Sequence, residues 1–184
     1  PVFMDNDATV AGLAENVAGV SAGAHSSVFL TLGTGVGGGI VIGGKVWSGF
    51  HGVGSEIGHM IIEMDGKDCN CGNRGCLERY CSATAIILAA RAAVMQYQDS
   101  AIMTKAEGDL MKINAKIVFD AAKEGDELAL RLFGDYVKAL ATTIVNIIHF
   151  LDPEVIALGG GVSKAGDFLL DAVRTDVAQM GMDK

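Results

Sequence analysis

Basic residues are scarce in this chain: 14 Lys and Arg stand against 22 Asp and Glu, a formal charge of −8 over 184 residues. That balance argues against nucleic acid as a direct partner, because phosphate binding needs a basic face. Long hydrophobic runs are missing as well. The longest, residues 139–151, is interrupted by Thr142, Thr143, Asn146 and His149 and falls short of the ~20 apolar residues a membrane span requires. No secretory leader is visible, no repeat or low-complexity segment occurs, and no G-x-x-x-x-G-K-[ST] phosphate loop is found. Cysteine is limited to four residues. Three of these sit at metal spacing rather than disulfide spacing, which favours a reducing compartment. The expectation is a soluble, cytoplasmic protein without membrane contact, built as one domain plus at most a small appendage.

What the chain has in excess is glycine, 25 residues, roughly twice the ordinary ~7%. The glycines cluster at 33–44 and 159–161, which means tight backbone geometry at particular places, not a flexible linker. Half the residues are hydrophobic, enough for a sizeable core.

Val2-Phe3-Met4 reads as a strand end. Asn6 or Asp7 then caps a helix whose Val10, Leu13, Ala14 and Val17 recur with helical spacing. Residues 27–32 form a β-branched strand, the glycine run 33–39 a loop, Ile40-Val41-Ile42 a second strand, and Gly43-Gly44 the turn to a third. That order predicts an antiparallel meander. After a metal-type segment at 56–78, a helix runs from Ser82 to about Tyr97, and polar residues 99–109 read as a surface loop. Asn114 caps a short helix ending at Gly125. Asp126 opens a long helix stopped by Asp152-Pro153, and a buried strand at 154–158, a Gly159-Gly160-Gly161 turn and a final helix at 168–177 complete the chain.

The chemistry concentrates in Glu56-Ile57-Gly58-His59 and in Cys69-Asn70-Cys71-Gly72-Asn73-Arg74-Gly75-Cys76-Leu77-Glu78. Cys69, Cys71 and Cys76 with one further ligand fit a closed, tetrahedral zinc site of structural type. The fourth ligand is either His59 or the nearby Cys81, with His59 favoured because the intervening glycine-containing stretch lets the loop return. Glu56 and His59, three apart, would share one helical face. His59 can then hold metal through one ring nitrogen while Glu56 and the other nitrogen face a ligand. Two carboxylates that zinc does not need, Glu56 and Glu78, suggest a scaffold for something polar.

Gly33, Gly35 and Gly38 match G-x-G-x-x-G, but a strand and hairpin follow instead of the helix that a dinucleotide site demands. A glycine turn between antiparallel strands still offers backbone N–H groups to phosphate oxygens, and Thr34 adds a hydroxyl. Gly159-Gly160-Gly161 lies between strand and helix, where either a ligand or merely a tight turn explains it. Asp7 sits where a carboxylate interacts favourably with a helix dipole. It is either a proton acceptor for a hydroxyl or a plain cap.

Taken together these residues resemble the ROK family (repressors, open reading frames, kinases) of the actin-like ATPase superfamily. The likeness runs through Leu32-Gly33-Thr34-Gly35-Val36-Gly37-Gly38-Gly39-Ile40, the Glu56 to His59 segment, the Cys69 to Glu78 segment, Asn6-Asp7-Ala8 and residues 153–163. It implies an α/β actin-like (ribonuclease H-like) domain with a mixed sheet flanked by helices and a zinc-binding insertion at 56–81. It also implies that residues 1–184 are the large C-terminal domain of a two-lobed kinase whose N-terminal lobe is missing, so that the fragment alone would be inactive.

By the same resemblance Asp7 is the general base, and Asn6, Glu56, His59 and Glu78 are sugar ligands. Gly33, Thr34, Gly35 and Gly37 contact phosphates, Gly159, Gly160 and Gly161 contact adenosine, and His59, Cys69, Cys71 and Cys76 hold structural Zn2+. The implied reaction is ATP- and Mg2+-dependent phosphorylation of a hexose, with glucose favoured, by a homodimer or homotetramer. Kinases for fructose, allose or N-acetylmannosamine and a sugar-responsive repressor are the implied alternatives. Ser55 departs from the family's more usual Ala or Gly.

Overall fold

Apolar, β-branched runs buried on both faces and paired glycines make the sheet. Strands β1 (Ser26–Leu32), β2 (Val36–Ile42) and β3 (Lys45–Val46) form the expected antiparallel meander. Its second turn is Gly43-Gly44 at φ +59° and +72°, the left-handed pair that a two-residue hairpin requires. Strand β4 (Val155–Gly159) lies parallel to β1, giving a mixed sheet in the order β3-β2-β1-β4. The computed structural model describes residues 6–97 and 99–181, so the strand end expected at residues 2–4 lies outside the described residues.

The glycine run is shorter as a loop than the sequence suggests. Only Gly33-Thr34-Gly35 forms the turn, while Gly37, Gly38 and Gly39 are paired inside β2 opposite Thr31, Leu30 and Phe29. The reason lies in helix α1 (Asp7–Ala18). Built on the backbone, a Cβ at Gly39 would stand 2.8 Å from the Ala8 carbonyl oxygen and 3.1 Å from Gly12 Cα. The helix thus rests on bare backbone. This contact also selects the buried face of α1, which is Ala8, Thr9, Gly12 and Asn16. The expected stripe fails: Val10 and Val17 are 50% and 70% exposed. Small residues win because only they permit this approach, and close packing outweighs the larger apolar area.

The opposite face of the sheet carries the main core. Val28, Leu30, Leu32 and Ile40 pack there with buried residues of the helical region. That region comprises α2 (Glu78–Cys81), α3 (Ala83–Val94), α4 (Ala101–Lys105), α5 (Ala115–Lys123), α6 (Glu127–Leu151) and α7 (Asp167–Gln179). Side-chain caps start several of them. Ser82 accepts from Ala85 N–H at 3.0 Å, Asn114 from Ile117 N–H at 3.0 Å and Asp126 from Ala129 N–H at 2.8 Å. The stretch expected as a polar loop instead contains α4, with Ile102 fully buried. Its polarity serves capping: Ser100 Oγ and Ala101 N–H donate to Asp126 at 2.9 and 2.7 Å. Helix α6 ends at Asp152, in left-handed geometry at φ +42°. Among the described residues no helix is long and apolar enough to cross a membrane.

Gly39→Ala in the full-length protein should push α1 away from β2 and lower unfolding free energy by about 1–3 kcal/mol. Urea denaturation checks this, and an unchanged midpoint would refute the close approach.

Candidate functional site

The metal-type segment folds into a knot. Cys69 N–H donates to Asn73 O at 2.9 Å and Gly72 N–H to Cys69 O at 3.0 Å, with Gly72 at φ +92° closing the turn. Cys76 arrives on a β-bridge with Ile61, and His59 ends a short 3-10 turn at Ile57–His59. Donor atoms of His59, Cys69, Cys71 and Cys76 all lie within 4.8 Å of one another. His59 Nδ1 is 3.7 Å from Cys69 Sγ, and Cys71 Sγ is 3.6 Å from Cys76 Sγ.

The sulfur pair is too far apart for a disulfide, whose S–S length is ~2.05 Å. It is close to the ~3.8 Å edge of a tetrahedron drawn with zinc–sulfur bonds of ~2.3 Å. Cys81 is elsewhere, fully buried, with its Sγ 3.4 Å from Tyr136 O while Tyr136 Oη donates to Cys81 O at 2.6 Å. The chain therefore brings His59, and not Cys81, to the three thiols. A hydrogen bond from the Asn73 backbone lowers the exposed Cys71 thiol to about 7, whereas burial, reinforced by its thiol neighbours, pushes Cys76 up to about 12. Thiols held this close resist ionising together unless a cation shares the charge. The donor set fits a tetrahedral divalent metal.

The glycine turn is tied down from one side. Gly33 O accepts from Ala83 N–H at 2.7 Å and Thr34 O from Thr84 Oγ1 at 2.7 Å. In a trans peptide the C=O and the following N–H point in opposite directions, so the N–H groups of Thr34 and Gly35 face away from α3. Gly33 N–H is already spent on Gly35 O at 3.0 Å, and Val36 N–H on Glu78 Oε2 at 2.9 Å. That leaves the N–H groups of Thr34 and Gly35 on the side of the turn facing away from α3. Gly37, grouped with them from the sequence, stands within β2, where a Cβ would meet Ala8 Cβ at 2.6 Å and Thr31 Cγ2 at 2.9 Å.

Asn6 caps α1 by accepting from Ala8 N–H at 2.9 Å and Thr9 N–H at 3.4 Å. Asp7, the first helical residue, accepts from Ala8 N–H at 2.8 Å and is exposed. Of the two candidates for the cap, Asn6 is the one that takes it. One turn on, Thr9 Oγ1 lies 3.3 Å from Ser55 Oγ, both buried, which ties this helix end to the residue before exposed Glu56. Ile57 and the Ser55 carbonyl in turn press on Gly38 of β2. Helix α1, the Glu56 segment and Glu78 therefore all meet the first residues of β2.

At the same end of β1, beside the start of the glycine turn, Gly160 has φ +88°, and a Cβ there would collide with the Leu32 backbone. Gly159 packs against the Phe29 ring, but a Cβ on Gly161 would meet nothing within 4 Å. Gly161 opens on a cavity of about 290 Å³ that Phe119, Val162, Lys116, Lys123 and Lys164 also line. The first two glycines answer to a tight turn, and the third lines the cavity. Sequence reasoning missed the α5 wall, because residues 115–123 carry an ordinary amphipathic helix pattern. It also missed the Glu78–Val36 and Thr9–Ser55 contacts, which join positions 42 and 46 apart.

Residues 1–184, the whole chain, match the model of the ROK family. The chain belongs to the ROK family. Its mixed sheet and flanking helices are the ROK sugar-kinase fold, of the actin-like ATPase class. The chain is 43% identical over 176 residues to a glucokinase of Thermotoga maritima, covering 96% of this chain and 55% of that protein. A solved ROK glucokinase of Streptomyces griseus, in complex with glucose and AMPPNP, superposes with a TM-score of 0.89 at 32% identity over 97% of this chain and 58% of that one. A xylose repressor of Caldicellulosiruptor bescii is 28% identical over 97% of this chain and 44% of its own length. The chain spans about half the length of the curated relatives it matches.

In metal-stripped full-length protein, Cys71 should be the first thiol to react with iodoacetamide. Its rate should rise as pH passes about 7, since the thiolate is the nucleophile. Added Zn2+ should suppress that reaction, as read by peptide mass spectrometry; equal labelling with and without Zn2+ would argue against Cys71 as a donor.

Proposed function

We propose that the protein containing this chain is an ATP-dependent hexose kinase that converts glucose to glucose 6-phosphate. The observation that carries this reading is the meeting, at the start of β2, of an exposed carboxylate at a helix N-terminus, a free N–H edge on a glycine turn, and the Glu56–His59 segment. A proton acceptor, a phosphate cradle and a polar orienting set are the parts that phosphoryl transfer to an alcohol needs. The Thermotoga maritima and Streptomyces griseus relatives support the same chemistry and the same sugar.

In this mechanism Asp7 accepts the proton of the sugar's 6-hydroxyl as that oxygen attacks the γ-phosphorus in line, and the bond from the γ-phosphorus to the β–γ bridging oxygen breaks to release ADP. The N–H groups of Thr34 and Gly35 hold the transferring oxygens by charge-assisted hydrogen bonds. Glu56, Glu78 and the ring nitrogen of His59 not turned to the thiols orient sugar hydroxyls, and Asn6 adds a further hydroxyl contact. The cavity beside Gly161 receives the adenosine end of ATP. Mg2+ bound with the nucleotide supplies neutralisation of the phosphate charge. Zn2+ at His59, Cys69, Cys71 and Cys76 supplies no chemistry but rigidity to the loop that presents His59 and Glu78. A cytoplasmic homo-oligomer remains part of the proposal.

A sugar-responsive repressor is the second reading, favoured by the resemblance to the xylose repressor. Retention of Asp7 together with the open glycine turn places the kinase first.

ATP-dependent phosphorylation across a hexose panel, with the full-length protein, decides between them: turnover on glucose is expected, and sugar binding without turnover would favour the repressor. Asp7→Ala should lower kcat by about 10²–10⁴-fold while sugar affinity stays nearly constant; surviving turnover in steady-state assays would remove Asp7 from the base role. Cys71→Ser should lower bound zinc and weaken sugar binding on the order of tenfold, measured by metal analysis and calorimetry. Unaltered sugar affinity in the metal-free variant would defeat the scaffold role.

A further inference from the structure

Glu78 occupies an unusual junction. It is the first residue of α2 and lies two positions after the metal-type ligand Cys76. Its Oε2 reaches across 42 positions to accept the Val36 N–H at 2.9 Å. Val36 is the first residue of β2 and follows the glycine turn directly. The same oxygen occupies the space where a side chain at Gly35 would project, which accounts for glycine at that position without any left-handed φ. Glu78 is half-buried and Val36 buried, and a buried N–H that loses its acceptor costs more than an ordinary hydrogen bond gains. Two donors on α3, Ala83 N–H and Thr84 Oγ1, grip the other side of the turn.

We propose that Glu78 is a positioning residue for the glycine turn as well as a sugar ligand. Oε2 holds Val36 N–H and keeps the Thr34 and Gly35 donors in place, while the second carboxylate oxygen is the one that meets sugar. One side chain then couples two binding events: a sugar hydroxyl that orders the carboxylate also orders the turn, and the reverse holds by reciprocity. The coupling rests on the kinase reading given above; the strut itself does not.

The test compares Glu78→Ala with Glu78→Gln in the full-length protein, using hydrogen exchange at residues 33–38 and equilibrium binding of glucose and of AMPPNP with Mg2+. The amide oxygen of Gln can still accept from Val36, whereas Ala cannot. Glu78→Ala should speed exchange at Val36 by roughly tenfold or more, the size expected for losing one such bond, and should weaken AMPPNP and glucose together. Glu78→Gln should restore slow exchange and most AMPPNP affinity while glucose affinity stays low. Should the Ala variant unfold or lose metal, Glu78→Gln carries the test by that same split, and its losing turn protection along with glucose binding would overturn the proposal. Wild-type exchange rates in a folded Glu78→Ala protein would overturn it as well. If the wild type binds glucose but no AMPPNP, the kinase reading fails, and the exchange data alone decide the strut.

Discussion

The candidate site is built on how closely α1 lies against β2. Gly12 of the helix and Gly39 of the strand meet backbone to backbone. That contact places Asn6 and Asp7 at the end of the sheet where the glycine turn begins. A larger residue at either position would lift the helix and carry Asp7 away with it, since a rigid helix transmits displacement at its middle to its end. The absence of side chains at Gly37 and Gly39 is therefore a positional device, and close packing makes it unforgiving.

Around that contact the polar ties are few and each joins distant parts of the chain. Thr9 and Ser55 fasten the helix to the segment that carries Glu56 and His59. Glu78 fastens the cysteine knot to the first residue of β2. Tyr136 and Cys81 exchange hydrogen bonds and so anchor the end of α2 to the long helix α6. Buried or half-buried bonds of this kind fix geometry more than they add net stability, because leaving one partner unsatisfied costs more than the bond gains. The knot itself has a small apolar anchor, the fully buried Leu77, and a donor set suited to metal. Coordination there, as proposed above, would add rigidity to the loop, as in other small cross-linked segments.

The buried hydroxyl of Ser55 has a partner in this arrangement: it meets that of Thr9. The three glycines at 159–161 illustrate how one motif divides its roles. Two are required by contacts with Leu32 and Phe29, and the third borders the cavity.

Much of this was legible in the sequence. The meander announced itself through its β-branched and aromatic runs and Gly43-Gly44, the helices through Ser82, Asn114 and Asp126 at their starts, and the candidate metal donors through thiol spacing. Each of these signals is local: a dihedral preference, a cap or a ligand interval acts within a few residues. The misjudged elements share the opposite character. Which face of α1 is buried depended on the glycines of β2, and whether residues 101–105 are helical depended on Asp126, more than twenty positions away. The choice of His59 over Cys81 as the fourth donor, the direction of the Thr34 and Gly35 N–H groups, and the reach of Glu78 to Val36 are likewise decided by which segments meet. The residues and their chemical repertoire were determined by the sequence alone; their partners were decided only by tertiary structure, because packing distance and hydrogen-bond direction are properties of pairs that no single stretch of chain contains.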